Sequence, residues 1–408
     1  MFVFILEERL TMLRRCERSM KQSIWMADLL QINMKTGKKM TNMPETWKKT
    51  TGKSIMLTGG GTLGSVTPLL SVYEAWRKLD PEQTFLFVGT PRGPERKLIE
   101  ETGLPFHPIL VPKAYRYLTW RWLFSPILLV WSFLASAWLL AQFRPSWILS
   151  AGSYVSVPLA LLAPLFRTRV AIHQLDYELG LANRLMAPVA SLVTSTFPST
   201  ARQLPCKHVE VVGALAYGSH VLSVSRAEAI EHFDLDVGRP TILVLGGGIG
   251  SLVLNQAFER VADRLASEMN ILHSTGAGKG IFKDRRAPET YKTVELFIDD
   301  FGMALDLADL VVTRAGVGTL LELVRKKKAA IFVPLPDSPQ VANAKFVEEA
   351  RAGVVLAQDH LDTDLLKTIH ETLEPHRKKQ LEERIGGLFS SNGAEEIVWL
   401  IRQKNTPG

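Results

Sequence analysis

Cysteine is almost missing from this chain: 408 residues contain only Cys16 and Cys206. That excludes a disulfide framework and a cysteine zinc site, and a reducing cytosolic setting is expected. The body of the chain also lacks an excess of charge. Of the net +7, residues 1–53 carry most, with eleven Lys/Arg against five Asp/Glu, and the remainder is close to neutral. No general polyanion-binding surface follows, so nucleic acid is not an expected partner. No P-loop lysine follows either of the two glycine-rich clusters, which argues against a nucleotide hydrolase. The acidic residue that a nicotinamide enzyme carries at the end of its second strand is absent too, since the two relevant runs finish Phe87-Val88-Gly89-Thr90 and Leu272-His273-Ser274. A redox dinucleotide is disfavoured, and no cofactor is expected.

What the chain does have is one device used twice. Ile55-Met56-Leu57-Thr58 opens onto Gly59-Gly60-Gly61-Thr62-Leu63-Gly64-Ser65, and Ile242-Leu243-Val244-Leu245 opens onto Gly246-Gly247-Gly248-Ile249-Gly250-Ser251. Glycine lets backbone approach an anion closely, and a helix start offers unpaired amides and a positive dipole end. Short apolar runs alternate with helix-length segments from Ile55 onward, with strands expected at 55–58, 84–88, 147–150, 170–173, 192–195 and 209–212. The pattern restarts at 242–245, 271–274, 294–297, 310–313, 330–333 and 354–356. The fold class is therefore α/β, as two Rossmann-like domains facing across a cleft, the layout of a nucleotide-sugar enzyme. The expected organisation is a poorly ordered basic extension over 1–53, a first domain over 54–216, a second over 217–375, and a C-terminal helix over 376–408 packing back toward the first. Thr67-Pro68 reads as N-cap and first helical position, followed by an apolar face of Leu69, Val72, Ala75, Trp76 and Leu79. The extension holds seven of the eleven methionines, and an over-long gene start with initiation near Met40 or Met43 is the competing expectation for it.

One stretch departs from the soluble pattern. From Trp122 to Phe143 there are 22 uncharged residues, with tryptophans at 120, 122, 131 and 138 and arginines at 116, 121 and 144 around them. A buried crossover helix, an interfacial amphipathic segment and a true span all compete. The interfacial reading is preferred, because a span would interrupt the βαβ winding. A cytoplasmic membrane surface, met through 120–143, is thus an expected partner.

The second half is richer in chemistry. Phe297-Ile298-Asp299-Asp300-Phe301 sits at a strand end, and Thr313-Arg314-Ala315-Gly316-Val317-Gly318-Thr319 forms a further strand, glycine turn and helix start. Amides from Gly316 to Thr319 suit a diphosphate, and Glu322, one turn on, suits ribose hydroxyls. Gln340 and Asn343 lie three apart in the following polar loop and would share a face at a helix start. Each has an ordinary alternative: a surface helix glutamate, or loop polars and caps. Their clustering at successive C-terminal strand edges favours a ligand site.

From Ser54 to the C-terminus the sequence resembles the MurG-type glycosyltransferases of the two-Rossmann class. The matching pieces are GGGTLGSVTPLL, the AGSYVSVP turn at 151–158, the His173-Gln174-Leu175-Asp176 strand end and Val212-Gly213, then LGGGIGSLVLNQ, FIDDF, RAGVGTLLEL and DSPQVANA. The resemblance implies an inverting, metal-independent transfer of N-acetylglucosamine from a UDP-sugar donor to a polyprenyl-linked muramyl-peptide acceptor at the cytoplasmic membrane face. It assigns Gly247, Gly248, Gly250, Gly316, Val317, Gly318 and Thr319 to the donor's side. Ile298 would contact uracil, Glu322 the ribose, and Gln340 with Asn343 the sugar. Gly60, Gly61, Thr62 and Gly64 would face the acceptor's pyrophosphate. No metal is implied, and Asp299 and Asp300 are adjacent rather than spaced as Asp-x-Asp.

The departures fall mainly in the acceptor half. Ser65 stands where the family has a candidate base histidine, and a lone serine hydroxyl accepts no proton near neutral pH. The family's His-Glu-Gln-Asn is here His173-Gln174-Leu175-Asp176, Asn-Pro-x-Arg is Ala214-Leu215-Ala216-Tyr217, and a donor-loop serine is Gly248. Asp176 is a candidate substitute base and His173 its rival, with a structural role as the alternative for both. Transfer to another lipid acceptor, such as diacylglycerol, and a non-catalytic UDP-sugar-binding scaffold are the alternative functions.

Overall fold

The computed structural model describes residues 54–112, 125–206, 208–215, 225–297, 300–390 and 392–405. The extension 1–53, Ile298 and most of the segment between Gly213 and Ser225 lie outside the described residues. Seven parallel strands form the first sheet: β1 Ser54–Thr58, β2 Thr84–Gly89, β3 Phe106–Pro108, β4 Trp147–Ser150, β5 Arg169–Gln174, β6 Leu192–Ser195 and β7 Glu210–Val211. Six form the second: β8 Thr241–Leu245, β9 Asn270–Ser274, β10 Tyr291–Val294, β11 Leu310–Thr313, β12 Ala330–Phe332 and β13 Val354–Val355. Their spatial orders are β3-β2-β1-β4-β5-β6-β7 and β10-β9-β8-β11-β12-β13. Both are doubly wound, with order reversing beside β1 and β8. Central strands are buried along their whole length, as β1 and β8 show, which explains their near-continuous apolar composition.

Two strands depart furthest from expectation. β3 is a three-residue edge strand with no alternation to announce it. β10 runs over Tyr291–Val294 rather than 294–297, pairing Tyr291 with Ile271 at the sheet's edge. Leu296, part of the apolar run that suggested the later position, is exposed. The helix after the first glycine loop spans Thr67–Leu79, so Val66 is its N-cap and Thr67 is already helical. Its hydroxyl donates to Leu63 O at 3.3 Å instead of capping. Leu69, Val72, Ala75 and Trp76 are buried as the period requires, whereas Leu79 is 58 % exposed.

The chain returns to the first sheet later than position 376. Helix Pro375–Gly386 packs on the second sheet through Leu381 and Ile385. Helix Gly393–Asn405 alone joins the first core, burying Ile397, Val398 and Ile401 beside helix Thr67–Leu79. At the crossing, Ala214 N donates to Ser390 O at 2.7 Å, and Gly213 N to Glu396 Oε2 at 2.9 Å. A Cβ on Gly393 would stand 2.1 Å from Gly213 O, so two backbones pass here with no room for a side chain.

Helix Ser125–Phe143 connects β3 to β4 and is, among the described residues, the one helix long and apolar enough to cross a membrane by length and composition. One face is buried through Ser132, Ser136, Leu139, Leu140 and Phe143, and the helix packs on helix Ser156–Leu162. Ile127, Val130, Trp131 and Leu134 are exposed on it, and so is Leu165 beyond the helix it packs on. Ser132 and Ser136 donate back to carbonyls of their own helix at 2.7 Å, so their burial leaves no hydroxyl proton unmet.

Candidate active site

The sequence motifs collect where strand order reverses in each sheet, at the C-terminal ends of β1 and β4 and of β8 and β11. In an open parallel sheet that is where a crevice forms and ligands bind. The two halves meet there: a Cβ on Gly318 would lie 3.9 Å from Thr67 Oγ1. The turn after β11 thus comes up against the helix that follows the first glycine loop.

The first loop is held from inside. Gly60 N donates to Ser65 Oγ at 3.3 Å, and Ser65 Oγ donates to Thr62 O at 3.3 Å. Neither partner of Ser65 can take a proton, so the hydroxyl staples the turn. Gly61, with φ +81, donates its N–H to Glu95 Oε2 at 3.3 Å. Glu95 is 0 % exposed, and its other oxygen accepts from Thr90 N at 2.8 Å and from Thr90 Oγ1. From β4's end, Ser153 Oγ donates to Gly60 O at 3.0 Å and Ser156 Oγ to Thr58 O at 2.9 Å. Of the four expected acceptor residues, Gly60 and Gly61 have their amides occupied, while Thr62 and Gly64 are exposed.

The second loop leans backbone to backbone on its neighbour. Gly250 has φ +70, and a Cβ there would stand 2.2 Å from Thr275 O. That neighbouring loop is fixed from the core. His273 bonds Tyr291 Oη at 2.7 Å and Asn255 Oδ1 at 3.1 Å, and Asn255 Nδ2 donates to Thr275 O and Lys279 O, both at 2.9 Å. Burial holds His273 near pKa 3, hence neutral. Lys279 Nζ then reaches back to Ile249 O at 2.6 Å and Gly250 O at 3.0 Å. Gly247 and Gly248 are exposed at the tip.

Helix starts differ in what they leave for a ligand. Ser251 caps helix Leu252–Glu268 by accepting from Leu254 N at 3.3 Å. Helix Val317–Lys326 begins at Gly316 with no side-chain cap, which leaves first-turn amides over Val317, Gly318 and Thr319 for an anion. Beside it, Arg314 is 7 % exposed and donates to Ser251 Oγ at 2.6 Å, Val333 O at 3.1 Å, Pro334 O at 3.4 Å and Gln358 Oε1 at 2.9 Å. All four partners are neutral, and no ion pair to Arg314 occurs among the described residues. Burial lowers its pKa without neutralising a guanidinium. Glu322 lies one turn further along, buried, with Arg325 Nε donating to it at 3.3 Å. Gln340 Oε1 accepts from Leu335 N at 2.9 Å and shapes the loop ahead of helix Pro339–Glu349.

Asn343 is 1 % exposed and does something its spacing did not suggest. Its Nδ2 donates to Ala315 O at 3.0 Å and to Asp176 Oδ1 at 3.3 Å, while its Oδ1 accepts from Tyr177 N at 3.1 Å. It joins the two halves. An aromatic cluster of Tyr177, Phe197, Phe346 and Phe389 continues that seam, with Phe197 and Phe346 edge to face at 4.9 Å. Burial pushes the Asp176 carboxyl up from its ordinary value; the Asn343 hydrogen bond opposes this and the Glu178 charge adds to it. His173 is 1 % exposed, with Nδ1 2.9 Å from Thr194 Oγ1 and Nε2 3.1 Å from Thr196 Oγ1. Burial lowers its pKa to about 3, so it is a neutral ring with both nitrogens engaged. Sequence reasoning missed Glu95, Lys279 and the bridging role of Asn343, and quoted Arg314 without assigning it. Glu95 and Asn343 act across 34 and 167 residues, which no local pattern reveals.

The glycosyltransferase family 28 N-terminal domain matches residues 55–195, and the glycosyltransferase family 28 C-terminal domain matches residues 241–397. Among curated relatives, the UDP-N-acetylglucosamine–N-acetylmuramyl-(pentapeptide) pyrophosphoryl-undecaprenol N-acetylglucosamine transferase of Clostridium perfringens is 26 % identical over 357 residues, covering 86 % of this chain and 98 % of the relative. Its Clostridium botulinum counterpart is 28 % identical over 360 residues, covering 86 % and 99 %. Among solved structures, Acinetobacter baumannii MurG superposes with a TM-score of 0.64 at 26 % identity, covering 86 % of this chain and 99 % of that one.

Proposed function

The chain belongs to glycosyltransferase family 28, whose two domains fall on its two sheets, and from that premise we propose that it transfers N-acetylglucosamine from UDP-GlcNAc to a polyprenyl-diphosphate-linked muramyl-peptide, a step of peptidoglycan synthesis. The observation that supports this reading is the uncapped start of helix Val317–Lys326, which comes up against Thr67 at the head of the helix following the first glycine loop. The donor's diphosphate is held by amides of 317–319, with Gly247, Gly248 and Gly250 alongside and Arg314 beneath. Glu322 takes the ribose hydroxyls and Gln340 the sugar. Thr62 and Gly64 meet the acceptor.

Asp176 is the general base. Its carboxylate takes the acceptor hydroxyl's proton, the oxygen attacks the anomeric carbon, and the bond to UDP breaks with inversion. A pKa raised by burial makes it a better proton acceptor than an ordinary carboxylate. Negative charge arriving on UDP meets amide dipoles and a buried guanidinium already in place. Asp176 is preferred to Ser65, a hydroxyl without a basic partner, and to His173, whose two ring nitrogens both lie against threonine hydroxyls. Helix Ser125–Phe143 lies along the cytoplasmic membrane interface, one face on the domain and Ile127, Val130, Trp131 and Leu134 toward lipid, where the acceptor's polyprenyl chain resides.

The test incubates the full chain with labelled UDP-GlcNAc and bacterial membrane lipid, with UDP-glucose and UDP-galactose as competitors. Labelled lipid is expected, with UDP-GlcNAc preferred. UDP affinity without labelled lipid would identify a non-catalytic binder, and no UDP affinity would end the reading altogether.

A further inference from the structure

Glu95 is a fully buried carboxylate that no part of the proposed chemistry uses, and it sits directly behind the first glycine loop. It heads helix Glu95–Glu101, and its two oxygens divide their work. Oε2 takes the N–H of Gly61 at 3.3 Å, while Oε1 takes the N–H of Thr90 at 2.8 Å together with the Thr90 hydroxyl. The carboxylate thereby ties the loop after β1 to the end of β2. Space around it is tight: a Cβ on Gly60 would stand 2.3 Å from Oε1 and one on Gly93 1.9 Å from Oε2. Glycine at these positions is what admits the carboxylate.

The amides of the glycine run are consequently spoken for within the protein. Gly59 N donates to Val88 O at 3.2 Å, Gly60 N to Ser65 Oγ and Gly61 N to Glu95. An acceptor anion does not find three free glycine amides here, and it meets a carboxylate behind them. What remains toward the crevice is the exposed pair Thr62 and Gly64, beside Thr67 and opposite Gly318. We propose that Glu95 is the positioning residue of the acceptor-side loop: it holds Gly61 and the β2 end together so that residues 62–65 project into the crevice. It acts through the loop and does not touch either substrate. The proposal rests on the acceptor side assigned under the function above, but its geometry is independent of which lipid is used.

The test compares wild type with Glu95→Ala and Glu95→Gln in two ways. Steady-state transfer separates the substrates: kcat/KM for the lipid acceptor is expected to fall about 100-fold in Glu95→Ala, as displacement of a substrate-orienting element by an ångström does. The UDP-GlcNAc KM should stay within about twofold, because donor contacts lie on the other sheet. Glu95→Gln keeps one accepting oxygen and the side chain's shape, and it should retain part of the lost activity. Amide hydrogen exchange on the peptide spanning 57–66 gives a readout that needs no activity, and it should accelerate about tenfold or more in Glu95→Ala while peptides of the second sheet stay unchanged. Equal losses for donor and acceptor, or unchanged exchange over 57–66, would overturn the proposal. If the wild type binds UDP but transfers nothing, the functional reading fails and the exchange result decides this one alone. Should Glu95→Ala not fold, Glu95→Gln carries both measurements.

Discussion

Replacing Asp176 by asparagine separates catalysis from architecture more cleanly than any other change at the site. An asparagine oxygen still accepts from Asn343 Nδ2, the bond now 3.3 Å long, and the Tyr177 N–H and Ala315 O contacts of Asn343 are untouched. Stability therefore changes by less than about 1 kcal/mol, the worth of one ordinary hydrogen bond. Its sign is fixed by the raised pKa. A carboxyl whose folded value exceeds its unfolded value of about 3.9 stabilises the fold fully below that value and loses the contribution as pH rises through the folded one. Ionisation of Asp176 is thus a burden on the fold, so Asp176→Asn should unfold at the same temperature or higher above the carboxylate range, and the advantage should vanish below about pH 4. Catalysis should suffer in contrast. Loss of a positioned general base costs about 10²- to 10⁴-fold, or about 3–5 kcal/mol of barrier. The wild-type acid limb of kcat/KM should lie above the usual carboxylate range and disappear in the variant, while UDP affinity by calorimetry stays constant. Transfer within threefold of wild type, with the acid limb unchanged, would refute the assignment.

Three further perturbations probe other parts of the site. Arg314→Met removes a buried cation whose partners are all neutral, so UDP affinity should fall about 10- to 100-fold while uridine affinity moves less than threefold; equal losses in calorimetry would mean the residue only holds loops together. Gly250→Ala puts a methyl 2.2 Å from Thr275 O at φ +70, and the urea midpoint should report a loss of about 2–4 kcal/mol together with UDP binding. The pair Trp131→Ser and Leu134→Ser removes exposed apolar area, so vesicle co-sedimentation should fall about tenfold or more with thermal stability unchanged; undiminished sedimentation would place membrane contact elsewhere.

Much of the fold was legible because buried parallel strands are short apolar runs punctuated by glycine. β4, β6 and β11 match the expected limits, β1, β8 and β9 differ by one residue at one end, and β5 by one residue at each end. Failures arose where burial is partial. β3 and β10 lie at sheet edges, where Lys292 and Thr293 need no apolar character and exposed Leu296 mimics it. The two glycine turns and the helix start after Gly316 were readable from the order of apolar run, glycine cluster and helix-length segment. Side chains that act between distant segments were not. Spacing shows only which helical face Asn343 shares with Gln340, and its bond to Asp176, a partner that arrives from the opposite sheet, leaves no local mark in the sequence.

The passage of two backbones at Gly213 and Gly393 bears on how the molecule can be taken apart. A gene cut in the segment after β7 would leave the N-terminal fragment without helix Gly393–Asn405, baring the apolar groove that Ile397, Val398 and Ile401 fill. The complementary fragment would carry that helix with nothing to cover it. A first domain produced alone therefore needs the last helix grafted onto it, and a two-plasmid split of this transferase would reassemble through that helix as its natural clasp.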